Sequence, residues 1–324
     1  MKKLLTVSVA AAAMLLATGS AHAQTKWDLP SGYGANTLQV QNLQAFANDV
    51  KTATGGKLEL TLHSGASLYK ANEIKRAVQT AQVNIGEFIV SGAANENPLF
   101  GLDSIPFLAT SYAQSKKLDT ASRPALEALL ARQGMKLLFT VPWPAQSLYS
   151  RTPVNSLADL KGTKMRAYNP ATTRIAELLG AQPVTIQLAE LPQGLATGAV
   201  HNFLTSSASG VESKLHEQVK HFYAVAAWLP RNITVVNTRS FEALDKATQD
   251  AVLAAAGRAQ TSGWALSERL DGEYLAELQK QGMTVDRSAT KLKAELQSVG
   301  ERMTAEWLEK AGPEGKAVID AYRK

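Results

Sequence analysis

Short apolar segments alternate with amphipathic segments along the first half of the chain. Leu58, Leu60 and Leu62 recur at every second position, which predicts a strand whose side chains point to opposite faces in turn. Residues 113–133 carry apolar positions at helical spacing and are followed by Gly134, which predicts a long helix. Strands that alternate with helices are typical of an α/β protein with mainly parallel sheets. The other strands predicted here cover residues 26–29, 85–90 and 136–141, and the other helices cover 36–54 and 74–81.

A second series of the same kind follows the predicted turn Asp159-Leu160-Lys161-Gly162. In this series, strands are predicted at 163–167, 183–186 and 200–204, and helices at 171–179 and 190–197. Each strand is followed by a helix and then by another strand in the same direction, which predicts parallel crossover connections. A further strand at residues 233–236 is assigned back to the first series.

The late part of the chain contains one long helical pattern, from about Gln249 to Gln281. At 1.5 Å per residue such a helix reaches roughly 45 Å, more than the width of one lobe. Gly257, Gly263 and Gly272 lie inside the pattern and weaken the prediction that the helix is unbroken. A helix of this length is expected to run across the back of the molecule.

The length of the chain favours two lobes, since about 300 residues exceed what one hydrophobic core usually organises. Lobe I is assigned residues 24–143 and 231–262, and lobe II residues 144–230 and 263–324. The chain then crosses between the lobes near Trp143 and again near Leu229, and these crossings are the expected hinge.

The first residues have the three parts of a secretory signal peptide. Two lysines are followed by an apolar run from Leu4 to about Ala17, and then by a small-residue pattern that ends at residue 23. The run is too short to span a bilayer, which needs roughly 20 residues. We therefore predict that residues 1–23 are cleaved and that the protein is exported to the periplasm. The sequence has no cysteine, so neither a disulfide nor a lipid anchor is expected.

Charge and motif content exclude several function classes. The formal charge of +6 falls to +4 when Lys2 and Lys3 leave with the signal peptide. This excess is spread along the chain, so nucleic acid is not an expected partner. The sequence contains no Gly-x-Ser-x-Gly, His-Glu-x-x-His or Gly-x-x-x-x-Gly-Lys motif, and its histidines lack the spacing of a zinc site. No catalytic residue, cofactor or metal site is predicted.

Arg166 is the strongest single candidate for ligand chemistry. It lies on the predicted strand 163–167, where its side chain points opposite to those of Met165 and Ala167. One interpretation is a surface arginine in a salt bridge, which is the usual setting of an arginine. The other is a guanidinium held at the cleft between the lobes, where two parallel donors bind a ligand carboxylate. Periodicity alone does not choose between them.

The residues around Arg166 resemble those of a known family. The run LADLKGTKMRAYNPATTRIAELLGAQPVTIQLAELPQGLATGAV, residues 157–200, is similar to the signature region of the solute-binding proteins of tripartite ATP-independent periplasmic (TRAP) transporters. It contains Asp-Leu-Lys-Gly, a strand with arginine, a helix that ends in Leu-Gly-Ala-x-Pro-Val, and then Glu-Leu and Leu-x-Thr-Gly-x-Val. The resemblance extends to the order of elements over nearly the whole mature chain.

This resemblance implies an α/β, two-lobed periplasmic binding protein fold with mainly parallel sheets, hinge crossings and a long helix spanning both lobes. It also implies a monomeric binding protein, not an enzyme, that closes over a small organic acid. The acid is then delivered to the small and large membrane subunits of a permease driven by an ion gradient. In this family the arginine of the Lys-x-Arg strand binds the carboxylate, and here that arginine is Arg166. Asn169-Pro170 then begins the next helix.

The resemblance carries three further pocket positions onto this chain. Gln146 stands where the sialic acid-binding members have a second arginine. Ser91 stands where those members have an acidic ligand contact, and Thr205 where they have an asparagine. Because glutamine offers neutral donors and an acceptor instead of a cation, the site is expected to hold one dominant carboxylate.

Aromatic and polar residues near the crossings complete the candidate site. Trp143 lies at the first crossing, and Trp228 lies just ahead of the second. For both, hinge packing and ligand contact remain equal alternatives. The same two alternatives apply to Tyr33, in the turn Gly32-Tyr33-Gly34, and to Asn169.

Other functions stay open at the level of sequence. An enzyme of the same compartment would need a nucleophile and a base in one arrangement, which is not recognisable here. A binding protein of the ATP-driven type shares the two lobes but lacks the Lys-x-Arg region. A monocarboxylate is the expected ligand unless Arg231 or Lys70 reaches the pocket and adds a charge. A cation bound beside Gln146 is a minor alternative, since no acidic partner for it is evident.

Overall fold

The computed structural model describes residues 24–324, and the predicted signal peptide lies outside the described residues. The elements up to the first crossing are β1 (Thr25–Pro30), α1 (Leu38–Ala53), β2 (Leu58–His63), α2 (Ile74–Gln79), β3 (Ile85–Ile89), α3 (Tyr112–Arg132) and β4 (Met135–Pro142). Two 3-10 helices, Val90–Ala93 and Pro98–Ser104, lie between β3 and α3.

The elements between the two crossings are β5 (Ser147–Ser150), β6 (Lys164–Ala167), α4 (Pro170–Leu178), β7 (Gln182–Thr185), α5 (Leu191–Ala196), β8 (Asn202–Thr205), α6 (Ser207–Glu212) and β9 (His221–Tyr223). The remaining elements are β10 (Arg231–Asn237), α7 (Thr238–Glu242), α8 (Lys246–Lys280), β11 (Thr284–Asp286) and α9 (Thr290–Arg323). As expected from Asn169-Pro170, the Asn169 side chain caps α4 and Pro170 opens it.

The described strands form two small sheets in lobe I and one six-stranded sheet in lobe II. In lobe I, β1 and β2 pair in parallel and β10 lies antiparallel between β3 and β4. In lobe II, six strands follow the order β11-β9-β5-β8-β6-β7, and β5 is antiparallel to both neighbours. Parallel and antiparallel pairings are thus equally frequent among the described strands, so the sheets are not mainly parallel. The reason is that β5 and β10 each follow a crossing from the other lobe and enter their sheet from the opposite end.

The two predicted crossings lie side by side and hydrogen-bond to each other. The Trp143 N–H donates to the Pro230 carbonyl at 2.8 Å, and the Gln146 N–H donates to the Trp228 carbonyl at 2.7 Å. In the opposite direction, the Ala227 N–H donates to the Gln146 carbonyl at 2.9 Å. The crossings thus form a short two-stranded ribbon, which places Trp143 and Gln146 at the junction of the lobes.

The long helix predicted near residues 249–281 is confirmed as α8, 35 residues without a break. Its length is about 50 Å. It packs on α1 and β4 of lobe I and on α6 and β11 of lobe II. Gly263 permits this close packing, because a Cβ there would lie 2.6 Å from Val141 Cγ2. Helix-to-sheet contact therefore outweighs the cost of roughly 1 kcal/mol for a glycine inside a helix.

A second long helix, α9, has no counterpart among the sequence predictions. It kinks at Gly312, whose φ of 58° is left-handed. Leu296, before the kink, packs in the lobe II cluster, whereas Ile319, after it, packs in the cluster of lobe I. The Trp307 Nε1–H also donates to the Pro98 carbonyl at 2.7 Å. α9 therefore joins the two lobes a second time, and the lobe limits given above remain a prediction.

Candidate functional site

A small cavity lies between the lobes beside the two crossings, with a volume of about 30 Å³. Lobe I and the crossings give it an apolar and aromatic wall, made of Tyr33, Ile89, Trp143 and Pro230. Lobe II faces this wall with mostly polar side chains, chiefly Gln146, Arg166, Tyr168, Gln187, Thr205 and Ser209. The cavity is thus polar on one side and apolar on the other, as sites for small amphipathic ligands usually are.

Arg166 reaches the cavity from β6 and is only 3% exposed. Its neighbour Met165 points the other way, into the core of lobe II. The Arg166 Nε–H donates to the Ile186 carbonyl at 2.8 Å, and the guanidinium lies 4.9 Å from the centre of the Tyr168 ring. Burial lowers the pKa of Arg166 to about 10, so the group stays a cation at neutral pH.

The Arg166 guanidinium has no ionic partner within residues 24–324. Its only hydrogen bond there is the one to the Ile186 carbonyl, and no carboxylate lies within 4.0 Å of it. Burying a charge without a counter-charge is costly, and proteins usually pair such groups. A buried guanidinium that faces a cavity is therefore suited to hold an anion there.

Gln146 and Thr205 lie on the same polar wall. The Gln146 Nε2–H donates to the Pro144 carbonyl at 3.1 Å, and its Oε1 accepts from the Tyr168 hydroxyl at 3.1 Å. Thr205 ends β8 and lines the cavity with its side chain almost fully buried. The structure thus brings Arg166, Gln146 and Thr205 together, as the resemblance implied.

The opposite wall is held in place by a buried polar network. Tyr33 and Trp143 pack edge to face at 5.1 Å, and the Asn232 Oδ1 accepts from the Trp143 Nε1–H at 2.8 Å. Asn232 in turn donates to the Glu87 carboxylate, which also accepts from the Ser31 hydroxyl at 2.9 Å. Burial raises the pKa of Glu87 to about 7. The network fixes both rings, so the wall presents a rigid apolar surface.

Ser91, Asn169 and Trp228 do not line the cavity. The Asn169 Nδ2–H₂ donates to Ser91 Oγ at 2.8 Å and to Ser104 Oγ at 3.3 Å, so this contact joins the two lobes. The Trp228 side chain is fully buried in the core of lobe II. The ligand contacts considered for these residues stay predictions.

The two basic residues that weakened the expectation of a monocarboxylate do not reach the cavity. The Arg231 guanidinium pairs with Asp103 at 3.3 Å and with Asp119, and all three side chains are buried. The positive charge of Arg231 is therefore already balanced by two carboxylates. Lys70 is exposed and is not part of the cavity wall.

Sequence reasoning missed several cavity residues, above all Tyr168 and Gln187. Tyr168 follows Arg166 by two positions along the strand direction, and Gln187 stands two positions beyond the end of β7. The period of two along a strand was a usable signal for Tyr168, because alternate residues share a face. No signal of this kind pointed to Ser209 or Pro230, which reach the cavity through tertiary packing.

Residues 24–324 contain neither a metal-binding cluster nor a candidate membrane-spanning helix. No group of three or more His, Asp or Glu side chains in this range is arranged to hold a metal ion. None of its helices combines the length and apolarity that a bilayer crossing requires.

Comparisons with known proteins agree with this architecture. Residues 31–310 match the family described as bacterial extracellular solute-binding protein, family 7. The chain is similar to the crystal structure of DctP6, a Bordetella pertussis extracytoplasmic solute receptor binding pyroglutamic acid, with 49% identity, a TM-score of 0.91 and coverage of 92% of this chain and 99% of that one. A marine metagenome TRAP solute-binding protein specific for pyroglutamate is 43% identical, with a TM-score of 0.91 and coverage of 93% and 99%.

A more distant relative has a different ligand in its name. The 2,3-diketo-L-gulonate-binding periplasmic protein YiaO of Escherichia coli is 28% identical over 252 residues, which is 75% of this chain and 76% of that protein. The fold, the interlobe cavity with Arg166 and the family match lead to one conclusion: the chain belongs to family 7 of the bacterial extracellular solute-binding proteins and is a TRAP-type solute-binding protein.

Proposed function

We propose that this protein captures a small monocarboxylate, pyroglutamate in the first place, and delivers it to the membrane subunits of a TRAP permease. The observation that carries the proposal is the buried Arg166 guanidinium, which faces the interlobe cavity without a carboxylate partner in residues 24–324. The pyroglutamate assignment is supported by the two similar structures above, whose sequences are 49% and 43% identical to this chain.

The chemistry of pyroglutamate matches the two walls of the cavity. Its carboxylate takes two parallel hydrogen bonds from the Arg166 guanidinium, a geometry that a planar fork favours. Its ring methylenes lie against the aromatic pair Tyr33 and Trp143. Its lactam group lies within the polar wall that Gln146 and Thr205 provide. The ligand thus carries one charge, and the site supplies one unpaired cation for it.

Interlobe contacts support capture by closure. The Asn169 contact with Ser91 is one such contact. In another, the Glu212 carboxylate of lobe II accepts from the Leu38 N–H at the start of α1, at 3.0 Å. Asn36 donates to the Glu212 carbonyl at 2.7 Å. Glu212 is partly buried, and this burial raises the pKa of its carboxyl group to about 8. These bonds connect the two lobes away from the hinge, so they stabilise a closed form.

Ligand binding is expected to close the lobes about the crossings near Trp143 and Leu229. With a cavity of only about 30 Å³ between the walls, the lobes must separate to admit the ligand and close again around it. Solution scattering with and without saturating pyroglutamate should show a smaller radius of gyration in the bound protein. An unchanged radius would mean that the hinge assignment is wrong.

The site is expected to prefer monocarboxylates over dicarboxylates of similar size by at least about tenfold. A second carboxylate would be buried without a cation, because Gln146 is neutral and Arg231 is already paired. Pyroglutamate at 100 times its Kd should stabilise the protein by roughly 2.7 kcal/mol in thermal denaturation, and succinate or malate should give a much smaller shift.

The variant Gln146→Arg also tests the preference for monocarboxylates. It adds a second cation to the cavity and should therefore shift the preference toward dicarboxylates. Competition calorimetry with mono- and dicarboxylates of matched size measures this preference in the unmutated protein and in Gln146→Arg. Tight binding of succinate or malate by the unmutated protein would contradict the proposed ligand class.

Export of the protein and its membrane partners complete the proposed function. We place the mature protein in the periplasm, reached through the signal peptide at residues 1–23, where it acts as a monomer without a metal or cofactor. It binds its ligand without changing it chemically. Incubation of pyroglutamate with a stoichiometric amount of the protein should therefore return the ligand intact, whereas a new product would favour the enzyme hypothesis.

A further inference from the structure

Tyr168 contacts two of the polar side chains that line the ligand cavity, Arg166 and Gln146. Its ring lies beneath the Arg166 guanidinium at 4.9 Å, and its hydroxyl donates to Gln146 Oε1 at 3.1 Å. Burial raises the pKa of Tyr168 well above its usual value, so the hydroxyl keeps its proton and remains a donor. Tyr168 itself is buried and follows directly after β6.

The orientation of the Gln146 amide is fixed by the chemistry of its neighbours. The Pro144 carbonyl can only accept a hydrogen bond, so the nitrogen of the amide must face it, at 3.1 Å. The amide oxygen then faces the Tyr168 hydroxyl, which supplies the proton. One N–H of Gln146 is left, and it has no partner among residues 24–324 while the side chain lines the cavity.

We propose that Tyr168 is a positioning residue that holds Gln146 as a hydrogen-bond donor toward the cavity, so that the ligand must place an oxygen acceptor at Gln146. This inference rests on the proposed function and deepens it, because it adds a second requirement to the single carboxylate. A ligand with only apolar or donor groups at that position leaves the amide N–H unpaired and binds less well. Without the Tyr168 hydroxyl, the amide oxygen loses its donor, and the Pro144 carbonyl is left as the single contact among residues 24–324 that orients the side chain.

The test is a double-mutant cycle on the Kd of pyroglutamate, measured by calorimetry. Tyr168→Phe keeps the ring beneath Arg166 and removes only the hydroxyl. Gln146→Met keeps a side chain of similar length and removes both polar ends of the amide. Tyr322→Phe serves as the matched control, because its hydroxyl bonds to the Leu108 carbonyl far from the cavity. The melting temperature of each unliganded variant shows whether it is folded.

We expect Tyr168→Phe to weaken binding about fivefold to tenfold, the usual effect of one lost hydrogen bond. In the Gln146→Met background the same change should alter Kd by less than about twofold, because Tyr168 acts through Gln146. An equal loss in both backgrounds, or no loss in folded Tyr168→Phe, would overturn the inference while leaving the proposed function intact. If the unmutated protein binds no small carboxylate at all, the proposed function fails and the inference fails with it.

Discussion

Replacing Arg166 by alanine is expected to weaken ligand binding about a hundredfold. The loss of a two-pronged charged contact, with a carboxylate left unpaired inside the closed cleft, costs roughly 3 kcal/mol. Calorimetry with pyroglutamate should show this loss. Arg166→Lys should also be impaired, because an ammonium is a point charge and cannot reproduce the fork of the guanidinium.

The fold should survive this change. In the unliganded protein Arg166 is a buried cation without a counter-charge in residues 24–324, so its removal also relieves a desolvation cost. The melting temperature of unliganded Arg166→Ala is therefore expected to be no lower than that of the unmutated protein. Arg258→Ala, which breaks an exposed pair with Asp49, is the matched control and should bind normally. Near-normal affinity of Arg166→Ala would show that Arg166 does not bind the ligand carboxylate.

Replacing Arg231 by alanine is expected to lower the free energy of unfolding by about 3 to 5 kcal/mol. The Arg231 side chain is buried between Asp103 and Asp119, and its backbone N–H also donates to Asp103 at 2.8 Å. Without the guanidinium, the buried Asp103 carboxylate loses its counter-charge, and Asp119 keeps its ion pair with Arg123. Burial already raises the pKa of Asp103 in the intact protein, although Arg231 opposes this shift.

Urea denaturation followed by tryptophan fluorescence measures this effect. Adding Asp103→Asn to the Arg231→Ala variant should recover part of the lost stability, since the uncompensated charge is then gone. If the free energy of unfolding of Arg231→Ala falls by less than about 1 kcal/mol, then Arg231, Asp103 and Asp119 do not form a buried ionic cluster.

The sequence predicted the elements that have a clear period, and the site residues that lie on them. The long helix α8 and the strand that carries Arg166 were both found, because their apolar positions repeat regularly. β5 was missed, since all four of its residues are buried and a strand buried on both faces shows no alternation. Its antiparallel pairing depends on where the crossing re-enters the sheet, which is a property of the whole fold.

The candidate site was predicted in part for the same physical reason. The resemblance pointed to Arg166, Gln146 and Thr205, which line the cavity, and to Ser91, which bonds to Asn169 across the cleft. Which of two nearby polar residues faces a ligand and which faces the other lobe depends on side-chain direction in the closed form. A single sequence does not contain that information.

A crystal structure of the protein with pyroglutamate tests the central claim most directly. We expect the ligand to lie in the cavity between the lobes, with its two carboxylate oxygens about 2.7 to 2.9 Å from two nitrogens of the Arg166 guanidinium. A ligand bound elsewhere, or bound in this cavity with its carboxylate turned away from Arg166, would contradict it.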